Sequence, residues 1–409
     1  MTRITGCRSS GDATLETILD FGESPLADQL LDTSELSGED PKFPLELVFA
    51  PSSTLVQITE DVPPEILYRG DYPYYTSVSP GLVDHFTKGA HQIMERKELD
   101  ASSLVVEAAS NDGYQLRVFK ERGIGVLGVD PASGPAKAAE DAGVDTICDF
   151  FSADVAGSIA SRGKRADVVT GNNVLNLVQD LADFTRAVDE VLAPDGLVVL
   201  EVPYLVDTID KCAFDNVFHQ NTTYWTATSL SRHFARHGLH LNDAVRIPTF
   251  GGSLRVYLGR SPDPSPAVQA LLAEEHERGV DTFAFYAAFA DRVAAIKAEL
   301  TEMIRDIRAR GDRIVAYGAA GGMATTLLSY LDLDDSTLDY AVDINPHKHG
   351  RYTSGSRLLI HPAERLAEDR PDYALLLAWN FADEIMRQQS AYTDAGGRFI
   401  VPVPQPRIA

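Results

Sequence analysis

The chain has 409 residues, 44% hydrophobic and 23% charged, an ordinary globular composition long enough for two or three cores. Its 36 Lys and Arg against 60 Asp and Glu leave a net charge of −24, which repels phosphate backbones and anionic lipid and excludes nucleic-acid and membrane partners as first choices. Three cysteines, Cys7, Cys148 and Cys212, are too few for a disulfide framework, and no segment reads as a membrane span or secretory signal, so a cytoplasmic protein acting on a small molecule is expected.

Residues 1–100 are rich in Pro, Asp and Ser and lack a clean helix or strand period, which predicts a small irregular cap containing the aromatic run Asp71-Tyr72-Pro73-Tyr74-Tyr75. A buried strand begins at Leu104-Val105-Val106-Glu107, and apolar runs recur at Val126–Val129, Val168–Val169 and Leu197–Val202. Such runs separated by helix-length segments predict a parallel sheet with crossover helices, one Rossmann-like domain over 101–265. Residues 266–311 carry Val293, Ile296, Leu300, Ile304 and Ile307 at three- and four-residue steps, an amphipathic helix pair acting as a connector. Strands at 312–317, 340–343, 373–378 and 399–403 then predict a second Rossmann-like domain over 312–409. The fold class is therefore α/β, with a cap and two Rossmann-like domains.

The first βα turn runs Glu107-Ala108-Ala109-Ser110-Asn111-Asp112-Gly113-Tyr114. Ligands sit at the carboxyl ends of such strands, and small residues let them approach the backbone. This turn is acidic and glycine-poor, unlike a Gly-x-Gly-x-x-Gly pyrophosphate turn, so it suits a cation such as the sulfonium of S-adenosylmethionine. Glu107, Ala109, Asn111 and Gly113 are the candidate contacts. Asp130 ends the next strand, placed to accept hydrogen bonds from two ribose hydroxyls, or else to satisfy neighbouring backbone donors. Phe150 offers an adenine contact or a core side chain, and Asn172 lies in the loop after the fourth strand. In the C-terminal domain Gly318-Ala319-Ala320-Gly321-Gly322 turns from strand to helix, a phosphate cradle for which Lys348 and Arg351 supply countercharge, or a closed structural turn with solvated basic residues.

Taken together, these residues resemble the bacterial sugar C-methyltransferases, which methylate carbon 3 of nucleotide-linked keto-deoxysugars with S-adenosylmethionine. The resemblance spans almost the whole chain. It is carried by Asp20-Phe21-Gly22-x-x-Pro25-Leu26-Ala27-Asp28, Glu107–Tyr114, Glu201-Val202-Pro203-Tyr204, Gly251–Val256, Tyr317–Ala320 and Leu377-Ala378-Trp379-Asn380. It implies an acceptor cleft between the two α/β domains, a phenol from the Tyr72, Tyr74 and Tyr75 segment closing over it, Tyr224 as its wall or as core, and a nucleotide diphosphate on the C-terminal turn.

Two departures stand out. The family's two Cys-x-x-Cys pairs, which bind zinc, correspond to Cys7-Arg8-Ser9-Ser10 and Ala50-Pro51-Ser52-Ser53, so a metal-free cap is expected. The family's Tyr-His-Glu-His tetrad corresponds to Phe218-His219-Gln220-Asn221, and a histidine after the fourth strand to Leu177. That leaves His219 as the expected acid–base, with Tyr75, Gln220 and Asn221 orienting the acceptor, or His219 as a structural histidine in a loop. A lysine usual in the C-terminal glycine turn is also absent. The resulting expectation is a methyltransferase in bacterial specialised metabolism, acting on a deoxysugar-like, nucleotide-linked molecule, with the altered tetrad leaving the acceptor atom open; the alternative is a protein that binds S-adenosylmethionine without transferring its methyl.

Overall fold

The computed structural model describes residues 2–68 and 74–409. The cap is more regular than its composition suggests. Strands β1 (Glu16–Pro25), β2 (Lys42–Ala50) and β3 (Leu55–Ile58) pair antiparallel, and Thr223–Tyr224, from far along the chain, adds a fourth strand beside β3. Most residues from Leu45 to Ala50 and all of β3 are buried, so the polar–apolar alternation that marks a half-exposed strand is missing.

Helix α1 (Pro80–Lys97) starts with Pro80 at its first turn and buries Phe86, Ala90 and Ile93 at three- and four-residue steps. Ala90 and Ile93 pack with Val105, Leu116 and Phe119. This stretch therefore shares the core of the following domain rather than that of the cap.

The following sheet has seven strands: β4 (Leu104–Ala108), β5 (Gly125–Val129), β6 (Thr146–Ile147), β7 (Ala166–Asn172), β8 (Leu192–Pro203), β9 (His240–Ile247) and β10 (Ser253–Gly259), in the order β9-β10-β8-β7-β4-β5-β6. Strands β4 to β8 are all parallel, while β10 runs antiparallel between β8 and β9. The chain reverses direction of growth between β4 and β7, and the register there sets Thr170 opposite Glu107 and Asn172 opposite Glu201. That switch point is where such sheets open a crevice for ligands.

The 27-residue helix α2 (Phe283–Ala309) is no mere connector. Its Tyr286, Val293 and Leu300 share one core with Phe21, Leu47 and Phe49 of the cap and with Ile314, Leu327 and Leu375 of the C-terminal domain. That domain holds strands β11 (Ile314–Tyr317), β12 (Ala341–Asp343), β13 (Ile360–Pro362), β14 (Tyr373–Leu376), β15 (Arg398–Val401) and β16 (Arg407–Ile408) in the order β13-β12-β11-β14-β15-β16, parallel except for the last pair. Helix α3 (Gly322–Tyr330) follows the glycine turn after β11. No described helix is long and apolar enough to cross a membrane.

Candidate active site

The turn after β4 is built on positive φ at Ala109 (54°) and Asn111 (49°). Asn111 is a residue type that tolerates this conformation, and adopting it aims the Asn111 backbone N–H at Asp130 Oδ2, 2.9 Å away. Ala132 N donates to Asp130 Oδ1 at 2.9 Å, so the carboxylate bridges the turns after β4 and β5. Burial nevertheless pushes the Asp130 carboxyl above its ordinary value. The Asn111 side chain faces the segment before α1: its Oδ1 accepts from Thr76 N at 2.9 Å and its Nδ2 donates to Tyr74 O at 3.0 Å. Asp112 adds bonds from the Ser77 backbone and hydroxyl. The acidic turn thus fastens residues 74–77 over the strand ends.

Behind the turn lies Glu107, fully buried, with Oε2 unpartnered among the described residues. Asn172 Nδ2 approaches three oxygens, Glu107 Oε1 at 3.2 Å, Gln115 Oε1 at 3.0 Å and Tyr114 Oη at 3.1 Å, with only two hydrogens to give. Desolvation therefore wins, and the Glu107 carboxyl titrates well above the usual range.

A cavity of about 620 Å³ opens in front of these residues. Of the residues expected at a cofactor, Ala109, Asn111, Asp130, Phe150 and Asn172 line it. Two do not. Glu107 sits one layer behind Asn172, and Gly113, at φ 73°, turns its Cα against Val144 and Ala139. Sequence reasoning missed Tyr114 and Phe151, which also line the cavity, although one follows Gly113 and the other Phe150 directly. Among the described lining residues there is no Lys, Arg or His. The acidic residues of the described wall, beside a carboxylate bridging two turns, fit a cationic nucleoside better than a pyrophosphate.

The other end of the cavity is formed by Phe218, Gln220, Asn221 and Tyr224 with Asn176 and Leu177. Two backbone carbonyls fix the amide orientations there. Asn221 Nδ2 donates to Asn216 O at 3.2 Å, which leaves Asn221 Oδ1 to accept from Asn176 Nδ2 at 2.8 Å. Gln220 Nε2 donates to Ala27 O at 3.2 Å. Asn176 Oδ1 and Gln220 Oε1 are left buried without donors among the described residues. Tyr224 Oη donates to Asn216 O at 3.4 Å.

His219 is absent from this wall. Its Nε2–H donates to Pro44 O at 3.0 Å, its ring meets Phe43 edge-on, and burial holds it below the usual histidine pKa, hence neutral. The geometry corrects the expectation of an acid–base there: His219 and Gln220 are the central residues of a turn closed by Asn221 N donating to Phe218 O at 2.9 Å, and the cap claims the first of them. Tyr75 is likewise turned away, its hydroxyl packed beside Gly134, while Tyr74 lines the cavity. Tyr72 lies outside the described residues.

Neither expected phosphate-binding cation lines the cavity. Lys348 Nζ donates to Ala319 O at 2.8 Å and Asp343 Oδ2 at 3.2 Å, so it closes the glycine turn on itself. Arg351 bonds Asp32 Oδ1 at 3.1 Å and Leu30 O at 2.8 Å, joining the cap to the C-terminal domain. Phe218 packs against Gly322, where a Cβ would stand 2.5 Å from the ring.

The cap's paired turns carry one thiol. Cys7 Sγ lies 3.0 Å from Ser53 Oγ, Ser10 Oγ 2.8 Å from Ser52 Oγ, and Ser9 Oγ 2.9 Å from His233 Nδ1. Serine hydroxyls are poor zinc ligands at neutral pH, so this donor set does not fit a structural zinc.

Seven strands in this order, with an acidic ligand crevice at their carboxyl edge, define an S-adenosylmethionine-dependent methyltransferase. Three family models tile the chain: a zinc binding domain over 7–68, a methyltransferase domain over 86–243 and a C-methyltransferase C-terminal domain over 248–404. The C-methyltransferase NovU of Streptomyces niveus is 36% identical over 408 residues, 99% of this chain and 97% of that protein. The chain belongs to this bacterial C-methyltransferase family. Solved structures are remoter: the glycopeptide N-methyltransferase MtfA covers 43% of this chain and 96% of its own at 15% identity and TM-score 0.34, and the CcbJ methyltransferase of Streptomyces caelestis covers 42% and 88% at 14% identity and TM-score 0.34.

Proposed function

We propose that this enzyme methylates a carbon of a hydroxyl-rich keto-deoxysugar carried on a nucleotide diphosphate, as part of bacterial specialised metabolism. The observation that carries this reading is the single cavity running from Asp130 and Phe150 to the amide cluster of Asn176, Gln220 and Asn221. Buried amide oxygens without donors favour an acceptor that presents O–H groups to them. With no cation in the described lining, the phosphates stay outside the cavity, towards the C-terminal domain.

In this reading Asp130 accepts from the ribose hydroxyls, Phe150 lies along the adenine, and Ala109 and Asn111 flank the methionine portion. Glu107 acts from behind, setting the orientation of Asn172. Tyr224 and Phe218 form the apolar side of the acceptor pocket, and Gln220 and Asn221 orient it. S-adenosylmethionine supplies the methyl as a sulfonium, an electrophile that needs no further activation; the chain holds acceptor and donor in line and excludes water. The cap reaches residue 79, the methyltransferase domain takes α1 and runs to about 265, and the C-terminal domain begins near 312.

Calorimetric titration with S-adenosylmethionine and with thymidine diphosphate tests the reading, followed by assay for S-adenosylhomocysteine with a thymidine-diphosphate-linked 4-keto-deoxysugar. Binding of both ligands and product formation support it. Cofactor binding without thymidine diphosphate binding removes the nucleotide handle.

A further inference from the structure

With His219 facing the cap, no imidazole lines the acceptor end of the cavity among the described residues. Four carboxylates line the cavity among the described residues: Asp28, Asp130, Asp180 and Asp183. Three are engaged by donors. Asp130 accepts from two backbone N–H groups, Asp180 caps a helix by accepting from Asp183 N at 2.9 Å, and Asp183 accepts from Ala153 N at 3.2 Å and Arg186 Nη2 at 2.9 Å. No donor among the described residues holds the Asp28 carboxylate.

Asp28 ends the cap motif Pro25-Leu26-Ala27-Asp28, and its placement is over-determined. Its backbone sits at φ 60°, its N–H donates to Ala320 O at 2.7 Å, and the carbonyl just before it receives the Gln220 side chain at 3.2 Å. Cap, glycine turn and acceptor segment therefore meet at this residue. The residue is exposed and forms part of the cavity wall. Surrounding protein raises the Asp28 carboxyl above its ordinary value, while Lys348, anchored on Ala319 O and Asp343, partly offsets the rise. A carboxylate that is unbound, reachable and more basic than usual has the properties of a general base.

We propose that Asp28 is the proton acceptor of the methyl-acceptor site. This rests on the keto-sugar reading above. The bond broken is the acceptor C–H beside the ketone; its proton forms an O–H bond on the Asp28 carboxylate, and its electron pair moves into the enolate, with the charge on the former ketone oxygen. Asp28 returns the proton to water when the product leaves. A carboxylate is sufficient for enolisation when the site supplies donors to the enolate oxygen, as in ketosteroid isomerase; here Gln220 Nε2 spends one hydrogen on Ala27 O and Asn221 Nδ2 one on Asn216 O, and each keeps a second to give.

The test is Asp28→Asn, which keeps the shape and a residue type suited to φ 60°. The probe is a thymidine-diphosphate-linked 4-keto-deoxysugar in D₂O, with S-adenosylhomocysteine present and no methyl donor, and the readout is deuterium entering the carbon beside the ketone. The variant is expected to bind the probe as the wild type does and to lose exchange by about 10²–10⁴-fold. Exchange at the wild-type rate overturns the proposal. If the wild-type chain does not bind the probe, the sugar-nucleotide reading fails by itself, and the carboxyl ¹³C resonance of Asp28 in the wild type decides the rest. A titration midpoint in the ordinary aspartate range overturns the assignment, and a raised one supports it.

Discussion

Trp379 Nε1 donates to Asp215 Oδ2 at 2.6 Å, so an indole of the C-terminal domain holds a carboxyl in the segment that leads to Phe218 and Gln220. Asp215 is fully buried, its Oδ1 has no donor among the described residues, and burial drives its pKa up to about 7. One indole bond does not replace the water that the carboxylate loses.

A pH signature follows. The folded state keeps its proton on Asp215 up to about pH 7, whereas the unfolded chain loses it near 3.8, so the folded state binds more protons between these values and stability from this group falls as pH rises through that window. Asp215→Asn retains the acceptor for Trp379 and removes the charge. Relative to wild type it should gain stability by about 1.4 kcal/mol per pH unit from pH 4 to 7 and then level off. Urea unfolding of both proteins across pH 4–8 reads this directly; a pH-independent offset contradicts it.

Asp130→Ala should weaken S-adenosylmethionine binding by about 1–3 kcal/mol, because ribose hydroxyls lose a charged acceptor and the N–H groups of Asn111 and Ala132 lose theirs. Calorimetry measures it, and an unchanged dissociation constant removes Asp130 from the cofactor site.

His219→Ala should act on stability rather than on chemistry. The half-buried Pro44 carbonyl loses its donor and Phe43 its edge contact, a cost of about 1–2 kcal/mol. Cofactor affinity should stay within experimental error, and a large fall in turnover with normal stability would return His219 to the reaction.

The cap should need no zinc. Metal analysis of the purified protein is expected to find far less than one zinc per chain, and a chelator should leave the melting temperature unchanged. Ser9→Ala, which strips the partner from His233 Nδ1, should instead lower stability by about 1 kcal/mol. One zinc retained per chain would show that donors beyond Cys7 complete a site.

The parallel part of the seven-stranded sheet was legible from the chain alone because Leu104–Ala108, Gly125–Val129 and Leu197–Val202 are largely buried and spaced by helix-length segments, whereas its antiparallel edge, His240–Ile247 and Ser253–Gly259, was not. Asp130, Phe150 and Asn172 were readable for a related reason: a strand end in such a sheet has a known position, so the sequence places the residue. The cap strands were not, since Leu45–Ala50 and Leu55–Ile58 lack alternation and their fourth partner, Thr223–Tyr224, comes from more than 160 residues away.

What the sequence determined by itself was the chemistry available: an acidic turn without a phosphate fingerprint, a single cap thiol, and an acceptor segment carrying Phe, His, Gln and Asn. Only the tertiary structure decided which of these groups meet. His219 and Gln220 are neighbours in the chain, yet one ring goes to Pro44 of the cap and the other side chain lines the cavity, while Asp28, 192 residues before Gln220, stands beside it. The reason is physical. Side-chain direction in a turn such as Phe218–Asn221 has no fixed period and depends on what packs against each residue, and in this chain the packing partners come from the cap and the C-terminal domain as well as the methyltransferase domain.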